Sequence, residues 1–546
     1  MHFRIQLVTV ADDGAEHREE IADLIRTEAT LETTGLTLAE SKQVLHDRQR
    51  TIVDQQVAAS LDAQRACPHC GKLRHVKEHG TASFRTLFGV VSVPNPRWQH
   101  CDCQPHEAKT FRPLATPLPE RTSPELLYLE TQWAALMSYG LTTKLLHDVL
   151  PIDRKHSAVT VRNHTLAVAR RSEQRLGAEQ TMFLEGSHAE RERLPLPDGP
   201  LAVGLDGGIV RARRGTTGAK TANLFAVIAG KRVLSFRRDD PEDVPPSSKC
   251  FALVQRVDPQ PKRRLYELLH AQGMQVNQQV TFCSAGGETV RRLPEYLHPE
   301  AEHILDWFHL TMRITVLQQC ARGLTQVKTT DTADERSLAR RLESAKHDLW
   351  HGNHALALDC LEGIAADLEC WGGDAEGEQH PRPDSDAAAR MGKYVRELLT
   401  YISHNAASIV NYGERYRNGE RISTAFTEST INQVVSKRLV KKQQMQWTPA
   451  GAHLLLQVRT QVLNAEWEAR FRSWYPRFRP VQTPVMITAE AAGYPRLFSA
   501  LLWARGTSGH GLGVGPTPTA PRPPQSRPCP YSCTPFEPGA EYTLVM

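Results

Sequence analysis

Two closely spaced pairs of cysteines constrain this chain more than any other feature of its sequence. The first pair is Cys67 and Cys70 in CPHC, and the second is Cys101 and Cys103 in CDC. Four thiolates spaced in this way can complete a tetrahedral zinc site, and a small module with little core gains its folding energy from the metal. The pairs therefore predict a structural Zn²⁺ ion in a β-rich zinc ribbon over residues 63–120.

Two alternatives to four thiolate ligands stay open at this point. One of the nearby histidines, His69, His100 or His106, could replace a cysteine as a ligand. A redox role for CPHC is disfavoured because no thioredoxin-like βαβ pattern surrounds it. A closed set of four thiolates leaves no open coordination position, which excludes catalysis at this metal.

Composition places the chain among globular proteins of several domains. It has 546 residues, 40% of them apolar, eleven cysteines and a formal net charge of +5. The basic residues cluster locally, as in RARR and KRLVKK, so any polyanion contact is expected at patches. The chain shows no apolar run of about 20 residues and no signal-peptide pattern. These features predict a cytoplasmic protein without a membrane partner.

Residues 1–62 are expected to form an N-terminal helical region after a short initial strand. Residues 14–62 are interpreted as two helices broken at TTGLT, and Thr37 with Glu40 predicts a capping box for the second helix.

Residues 121–195 have the outline of a helix-turn-helix, with three short helices and a turn before the third. The third predicted helix carries the residues expected to contact DNA: Thr160, Arg162, Asn163, His164, Arg170 and Arg171. A plain three-helix packing unit with a solvated polar face is the alternative.

Strand-like segments follow, and their alternation with helical segments predicts a mixed α/β sheet domain. Among them are LAVGLD, NLFAVIAG with KRVLSF, QQVTFCS and EHILD. Residues 311–420 are mostly helical in pattern. The proline-rich residues 506–546 are expected to be disordered.

Three acidic residues stand where a metal-dependent phosphoryl-transfer site could be assembled. Asp206 and Asp306 are expected at strand ends, His309 follows Asp306, and Glu428 lies on the apolar side of a predicted helix. Carboxylates from distant segments can hold two divalent ions that clamp the attacking and leaving oxygens. Each residue also has a plain structural interpretation: Asp306 as a helix N-cap, Asp206 as a turn residue before two glycines, and Glu428 in a first helical turn.

Taken together, these segments resemble bacterial insertion-sequence transposases of the Kra type, relatives of the mutator-like DDE transposases, over about residues 15–485. The resemblance is carried by the following stretches: LTLAESKQVL, the CPHC and CDC ribbon, TVRNHTLAVARR, VGLDGG, LPEYLHPEAEHILDWFHLTMR and ESTINQVVSKRLVKKQQMQWTPAGAHLLLQVRT. It implies a multidomain α+β protein with a ribonuclease-H-like core over residues 196–310 and 421–485. The helices of residues 311–420 are then an insertion before the last acid.

The resemblance also implies roles for individual residues. Asp206 would be the first acid of the DDE triad and Glu428 the last, both binding Mg²⁺ or Mn²⁺, while Asp306 and His309 match an Asp-x-x-His signature with a supporting role. Where the family has the second acid, this chain has Ala285. A methyl group cannot bind a metal ion, and the nearby Glu288 is a poor substitute because it is displaced by three residues.

Three functions are compatible with these residues. The first is a bacterial, nucleoid-associated transposase that binds double-stranded DNA at the inverted repeats of its element, cleaves it and joins it to target DNA as a homo-oligomer. The second is a non-catalytic relic that competes for the element ends because of Ala285. The third, a transcriptional regulator of other ancestry, leaves VGLDGG and HILDWFHL unexplained.

Overall fold

A β-hairpin opens the chain, where the first of two helices was predicted. In the computed structural model, β1 (His2–Val10) pairs antiparallel with β2 (Glu16–Ile25). The helix expected over residues 16–25 is therefore wrong. Glu, Ala and Leu are good helix formers, but intrinsic propensity is overridden by tertiary context, and here strand pairing with β1 outweighs it. The structure describes residues 1–10, 14–28, 30–32, 34–103, 109–180, 183, 187–195, 201–213, 224–233 (main chain only), 249–287, 290, 301–324, 338–372, 385–424, 427, 430–440 and 446–479.

The predicted capping box is confirmed at the start of α1 (Leu38–Arg65). The backbone N–H of Glu40 donates to the Thr37 hydroxyl at 3.2 Å, and the Glu40 carboxylate accepts the backbone N–H of Thr37 at 2.8 Å. A side-chain hydrogen bond from Arg26 is the main reason why the pKa of Glu40 falls to about 2. This helix packs on the β-rich module through Val53 and Val57.

The β-rich module predicted around the cysteines is confirmed. It contains two small antiparallel sheets, one of three strands and one of two. Its strands are β3 (Val76–Glu78), β4 (Thr81–Thr86), β5 (Gly89–Pro94), β6 (Arg97–Gln99) and β7 (Thr110–Phe111).

Three helices follow, as the sequence predicts. They are α2 (Pro124–Leu136), α3 (Tyr139–Val149) and α4 (Ala158–Glu173), each with a serine N-cap that accepts a backbone N–H of the first turn. A short helix, α5 (His188–Glu192), comes before the central sheet.

The central sheet has five strands in the order β10-β9-β8-β11-β12. β9 runs antiparallel to β8 and β10, whereas β11 is parallel to both β8 and β12. The bounds are β8 (Leu201–Arg211), β9 (Leu224–Val233), β10 (Lys249–Val254), β11 (Val280–Ser284) and β12 (Glu302–Leu305). β10 was not predicted, although its last four residues are all buried and apolar.

Helices cover both faces of this sheet. α6 (Pro261–Ala271) covers one face with Leu265 and Leu269, which pack in one cluster with Phe282 of β11. α12 (Pro449–Leu463) and a π-helical segment, Asn432–Val440, pack on the other face against β8 and β10.

The predicted helical region between β12 and the π-helical segment is confirmed. Its helices are α7 (Trp307–Leu324), α8 (Leu338–Trp350), α9 (His354–Gly372), α10 (Ser385–His404) and α11 (Tyr412–Arg417). Their buried side chains form one core that includes Ile304 and Leu305 of β12. The helical region therefore shares its hydrophobic core with the edge strand of the sheet.

The last described helix, α13 (Trp467–Trp474), packs against α2 and α4, where Trp467 and Phe471 contact Tyr128 and Val168. Among the described helices, none has both the length and the apolar character needed to cross a bilayer. The predicted disordered tail, residues 506–546, lies outside the described residues.

Candidate functional site

Three neighbouring parallel strands bring Asp206, Ala285 and Asp306 to the same level of the sheet. Ser284 pairs with Leu205 on one side and with Leu305 on the other, and these three positions directly follow that paired row. The backbone N–H of Asp306 donates to the Ser284 carbonyl at 2.9 Å. Since adjacent strands lie about 4.8 Å apart, position 285 stands between the two acids.

Asp206 was predicted to end its strand because two glycines follow it, and this prediction is wrong. β8 continues to Arg211, with Gly207 and Gly208 paired to Ile228 and Val227 of β9. The glycines lengthen the strand instead of turning it, because a long antiparallel partner is available to pair with their backbone groups. The half-buried Asp206 carboxylate accepts the N–H of Gly207 at 2.7 Å.

Asp306 is fully buried, and four donors converge on its carboxylate. Oδ1 accepts the backbone N–H groups of Phe308 at 2.9 Å and Thr424 at 3.1 Å. Oδ2 accepts from Nδ1 of His309 at 2.5 Å and from the Thr424 hydroxyl at 2.5 Å. A carboxylate offers about four lone-pair positions, so the donors fill its acceptor capacity. Asp306 thus serves as the N-cap of α7 and as the support of His309.

His309 is hydrogen-bonded to Asp306 and interacts electrostatically with both acids of the row. The hydrogen bond to Asp306 is the main cause that raises the pKa of His309, burial opposes it, and the charges of Asp306 and Asp206 add to the rise. The imidazole remains 35% exposed. The hydrogen bond orients Nδ1 of His309 toward Asp306, and both acids of the row favour the protonated form of the ring.

The backbone at position 285 is fixed by the helical region. The Tyr401 hydroxyl donates to the Ala285 carbonyl at 2.9 Å, and the guanidinium of Arg313 lies 4.3 Å from the centre of the Tyr401 ring. Gly286 has φ +74, and a Cβ there would collide with Leu305, so the turn after β11 requires glycine.

Tyr401, Arg313 and Thr424 were missed by the sequence analysis. No local signal identifies Tyr401, which lies 116 positions from Ala285 along the chain. Thr424 stands four residues before Glu428, so the resemblance could have drawn attention to its neighbourhood.

Two described residues, Thr424 and Thr427, lie between the helical region and the π-helical segment in the sequence. The N–H of Thr427 donates to the Thr424 carbonyl at 2.7 Å, and both residues are buried. Val434 and Val435 then pack in one cluster with Val210 of β8. Glu428 and Glu288 lie outside the described residues.

The four predicted cysteine ligands converge. Their sulfur atoms all lie within 4.8 Å of one another, with 3.5 Å between Cys67 and Cys103 and 3.2 Å between Cys70 and Cys101. A tetrahedron with Zn–S bonds of about 2.3 Å has edges of about 3.8 Å, so the cluster fits a zinc ion. The described group of ligands contains no histidine.

Backbone N–H groups stabilise the thiolate form of one cysteine in this cluster. The N–H groups of Cys70 and His69 lower the pKa of Cys67 to about 6. Hydrogen bonding to the neighbouring thiols Cys101 and Cys67 raises the pKa of Cys103 to about 12. Four thiolates this close repel one another unless a metal ion neutralises them, which fits a structural zinc.

The six residues predicted to contact DNA divide into two groups on α4. Arg162, Asn163 and Arg170 are exposed, and Thr160 is partly exposed near the N-terminus of the helix. With the exposed Arg154 in the preceding turn, these residues are named the α4 surface, which carries three exposed arginines.

The other two are engaged inside the protein. His164 Nδ1 lies 2.6 Å from Oε2 of the buried Glu130. Arg171 donates to Glu120 at 2.9 Å and to the Tyr475 hydroxyl at 2.8 Å. Their side chains fix α4 against α2 and α13. This leaves Arg162, which donates to Asn163 at 3.4 Å, and Arg170 as the exposed cations among the predicted set.

No protein-family model matches this chain, and no curated protein matches it in sequence.

Proposed function

We propose that this chain is a DDE-type DNA transposase of the bacterial insertion-sequence class, built to bind the ends of its element and to cut them with divalent metal. The observation that carries the proposal is the row formed by Asp206, Ala285 and Asp306 at one level of three parallel strands. The function rests on this site geometry, to which the sequence resemblance adds.

The sheet supports a ribonuclease-H-like core. Its order is β10-β9-β8-β11-β12, and β9 alone is antiparallel to its neighbours. In this order β8 and β11, the first and fourth strands of the sheet along the chain, lie side by side in parallel. The helical region then separates β12 from the segment that contains Glu428, as the resemblance implies. An acid on the first strand and the backbone of position 285 therefore meet in the sheet.

Double-stranded DNA is the proposed partner of the α4 surface. Arg162 and Arg170 are exposed on α4, and the helix has no carboxylate before Glu173. Cations on one helix face neutralise phosphates, and polar groups near its N-terminus can reach base edges. The zinc-stabilised ribbon is proposed to support this surface, and pairing of two element ends requires a homo-oligomer.

Asp206 and Glu428 are the proposed ligands of Mg²⁺ or Mn²⁺. When bound, such ions supply Lewis-acid stabilisation of the attacking and leaving oxygens. Asp306 is excluded from this ligand set because its four acceptor positions are filled. Its proposed part is to position His309, whose imidazolium would balance the charge of Asp206.

A specific observation favours the second candidate function, a DNA-binding transposase relic that competes at element ends. Position 285 carries a methyl group, and Asp306, the other acid of the row, has no acceptor position left. With one carboxylate missing, metal binding weakens. On this second function, the present chain binds the ends without cutting them.

One experiment distinguishes the two functions. The purified chain and its Ala285→Asp variant are incubated with Mg²⁺ or Mn²⁺ and duplex DNA from the regions flanking the coding sequence, and strand breaks are mapped on a denaturing gel. Cutting by Ala285→Asp alone indicates a relic, whereas cutting by the present chain that Asp206→Asn abolishes indicates an active transposase.

DNA binding has its own control. Arg162→Ala with Arg170→Ala is expected to weaken duplex binding and to reduce its salt dependence by roughly two phosphate contacts. Arg472→Ala, which removes an exposed arginine of α13, serves as the matched charge control. Equal binding by all three proteins would contradict the assignment of DNA contact to α4.

A further inference from the structure

An apolar stripe is exposed on the first three turns of α7, directly after Asp306. Phe308, Met312 and Val316 are 38%, 51% and 42% exposed, and they recur every four residues on one helix face. This face, named the α7 stripe, begins at the residue before His309.

The charges around the stripe fit a polyanion. α7 contains His309, Arg313 and Arg322 but no Asp or Glu. His309 and Arg313 follow Phe308 and Met312 by one position, which is about 100° around the helix. His309 is bonded to Asp306 and Arg313 lies over Tyr401, which holds Ala285, so both cations lie on the side of the Asp206 row. Beyond its far end, Glu343 accepts from Gln318 at 2.6 Å. The first three turns thus combine apolar and cationic groups.

The size and position of the stripe fit a short stretch of nucleotide bases. From Phe308 to Val316 the helix rises about 12 Å, the length of three or four stacked bases. Aromatic and apolar side chains next to cations are the usual contacts of unpaired bases. A protein partner would bury these apolar groups equally well, but the cationic border and the continuity with the row favour nucleic acid.

We infer that the α7 stripe contacts unpaired bases of the DNA strand whose phosphate reaches the Asp206 row. This inference rests on the proposed function and deepens it, because it assigns a single-stranded segment of the substrate to a surface distinct from the α4 surface. Phe308 is the proposed stacking residue, and Met312 extends the apolar contact.

The test compares binding of fluorescein-labelled oligothymidylate and of a labelled duplex, by fluorescence anisotropy, in magnesium-free buffer. Phe308→Ala and Met312→Ser are expected to weaken single-strand binding by about tenfold each, while Phe308→Trp retains it. Duplex binding through α4 is expected to stay unchanged. Leu356→Ala, which removes an apolar side chain of α9 that is 55% exposed, is the control and is expected to have no effect.

The outcomes separate the two proposals. Unchanged single-strand binding in the stripe variants, or no single-strand binding by the unaltered chain, overturns this inference while α4-dependent duplex binding still supports the proposed function. If instead duplex binding does not depend on Arg162 and Arg170, that result contradicts the proposed function. Light scattering on the same variants measures their oligomeric state. A dimer that depends on the stripe residues and forms equally with and without DNA would identify a protein interface and overturn the inference.

Discussion

Thr424 binds Asp306 twice, through its backbone N–H at 3.1 Å and through its hydroxyl at 2.5 Å. Both residues are buried, and 118 positions of chain separate them. The pair joins the end of β12 to the segment that leads toward Glu428. It thereby sets the start of that segment relative to the Asp206 row.

Thr424→Val is expected to destabilise the protein by about 1–3 kcal/mol, because it removes one donor from a buried carboxylate while keeping the side-chain shape. Thr424→Ser keeps the hydroxyl and is expected to cost less than half as much. Urea unfolding followed by circular dichroism measures both. Equal losses in the two variants would show that the hydroxyl contributes nothing.

His309 is expected to contribute to stability in a pH-dependent way. Its pKa is raised in the folded protein, chiefly by the hydrogen bond to Asp306. The contribution is therefore fully present below its unfolded pKa of about 6.5 and is lost as the pH rises through the folded value. The difference in unfolding free energy between the unaltered chain and His309→Gln should shrink on going from pH 5.5 to 8.5. A difference that grows with pH would contradict this sign.

The cysteine cluster is expected to bind one zinc ion per chain. Cys70→Ser removes a ligand and should abolish bound zinc and lower the stability of the ribbon, because the metal supplies much of its folding energy. Cys320→Ser, in α7 and outside the cluster, is the matched control and should retain the zinc. Elemental analysis of the purified proteins gives the metal content, and full zinc in Cys70→Ser would refute a four-cysteine site.

Glu173 is expected to stabilise the packing of α4 on α6 and α12. Burial raises its pKa, but hydrogen bonds from His453 at 3.2 Å and Arg264 at 2.7 Å outweigh this and lower the pKa to about 2. The shift from 4.5 corresponds to about 3 kcal/mol that is present above pH 4.5 and lost as the pH falls toward 2. Glu173→Gln should therefore cost about 2–3 kcal/mol at pH 7 and little near pH 2.

Acid unfolding curves at several urea concentrations measure this cost. The control is Glu468→Gln, whose exposed ion pair with Arg472 should contribute less than about 1 kcal/mol. A pH-independent effect of Glu173→Gln would contradict the ion-pair account.

Local chemistry made some features predictable from sequence alone. The capping box depends on Thr37 and Glu40, which are close in sequence. The convergence of the cysteine pairs was predictable because closely spaced cysteine pairs commonly bind zinc. The position of Asp306 after a strand and before a helix followed from its apolar neighbours in the same way.

Other features depend on distant partners and could not be predicted. β2 has a helical composition, and β8 contains two glycines, yet both are strands because long antiparallel neighbours satisfy their backbone groups. Thr424 donates to the Asp306 carboxylate, and Tyr401 donates to the Ala285 carbonyl. Both hydrogen bonds join residues more than a hundred positions apart, so no local pattern predicts them.

We propose that position 285 is the empty ligand position of a divalent metal site that includes Asp206. Titration of free Mn²⁺ by electron paramagnetic resonance tests it without knowledge of the DNA sequence, using the unaltered chain, Ala285→Asp, and Gly287→Asp as a charge control in open space. Mn²⁺ binding is expected to become roughly tenfold tighter in Ala285→Asp only, and to be lost again when Asp206→Asn is added. Equal affinity in Ala285→Asp and Gly287→Asp, or a gain that survives Asp206→Asn, would contradict it.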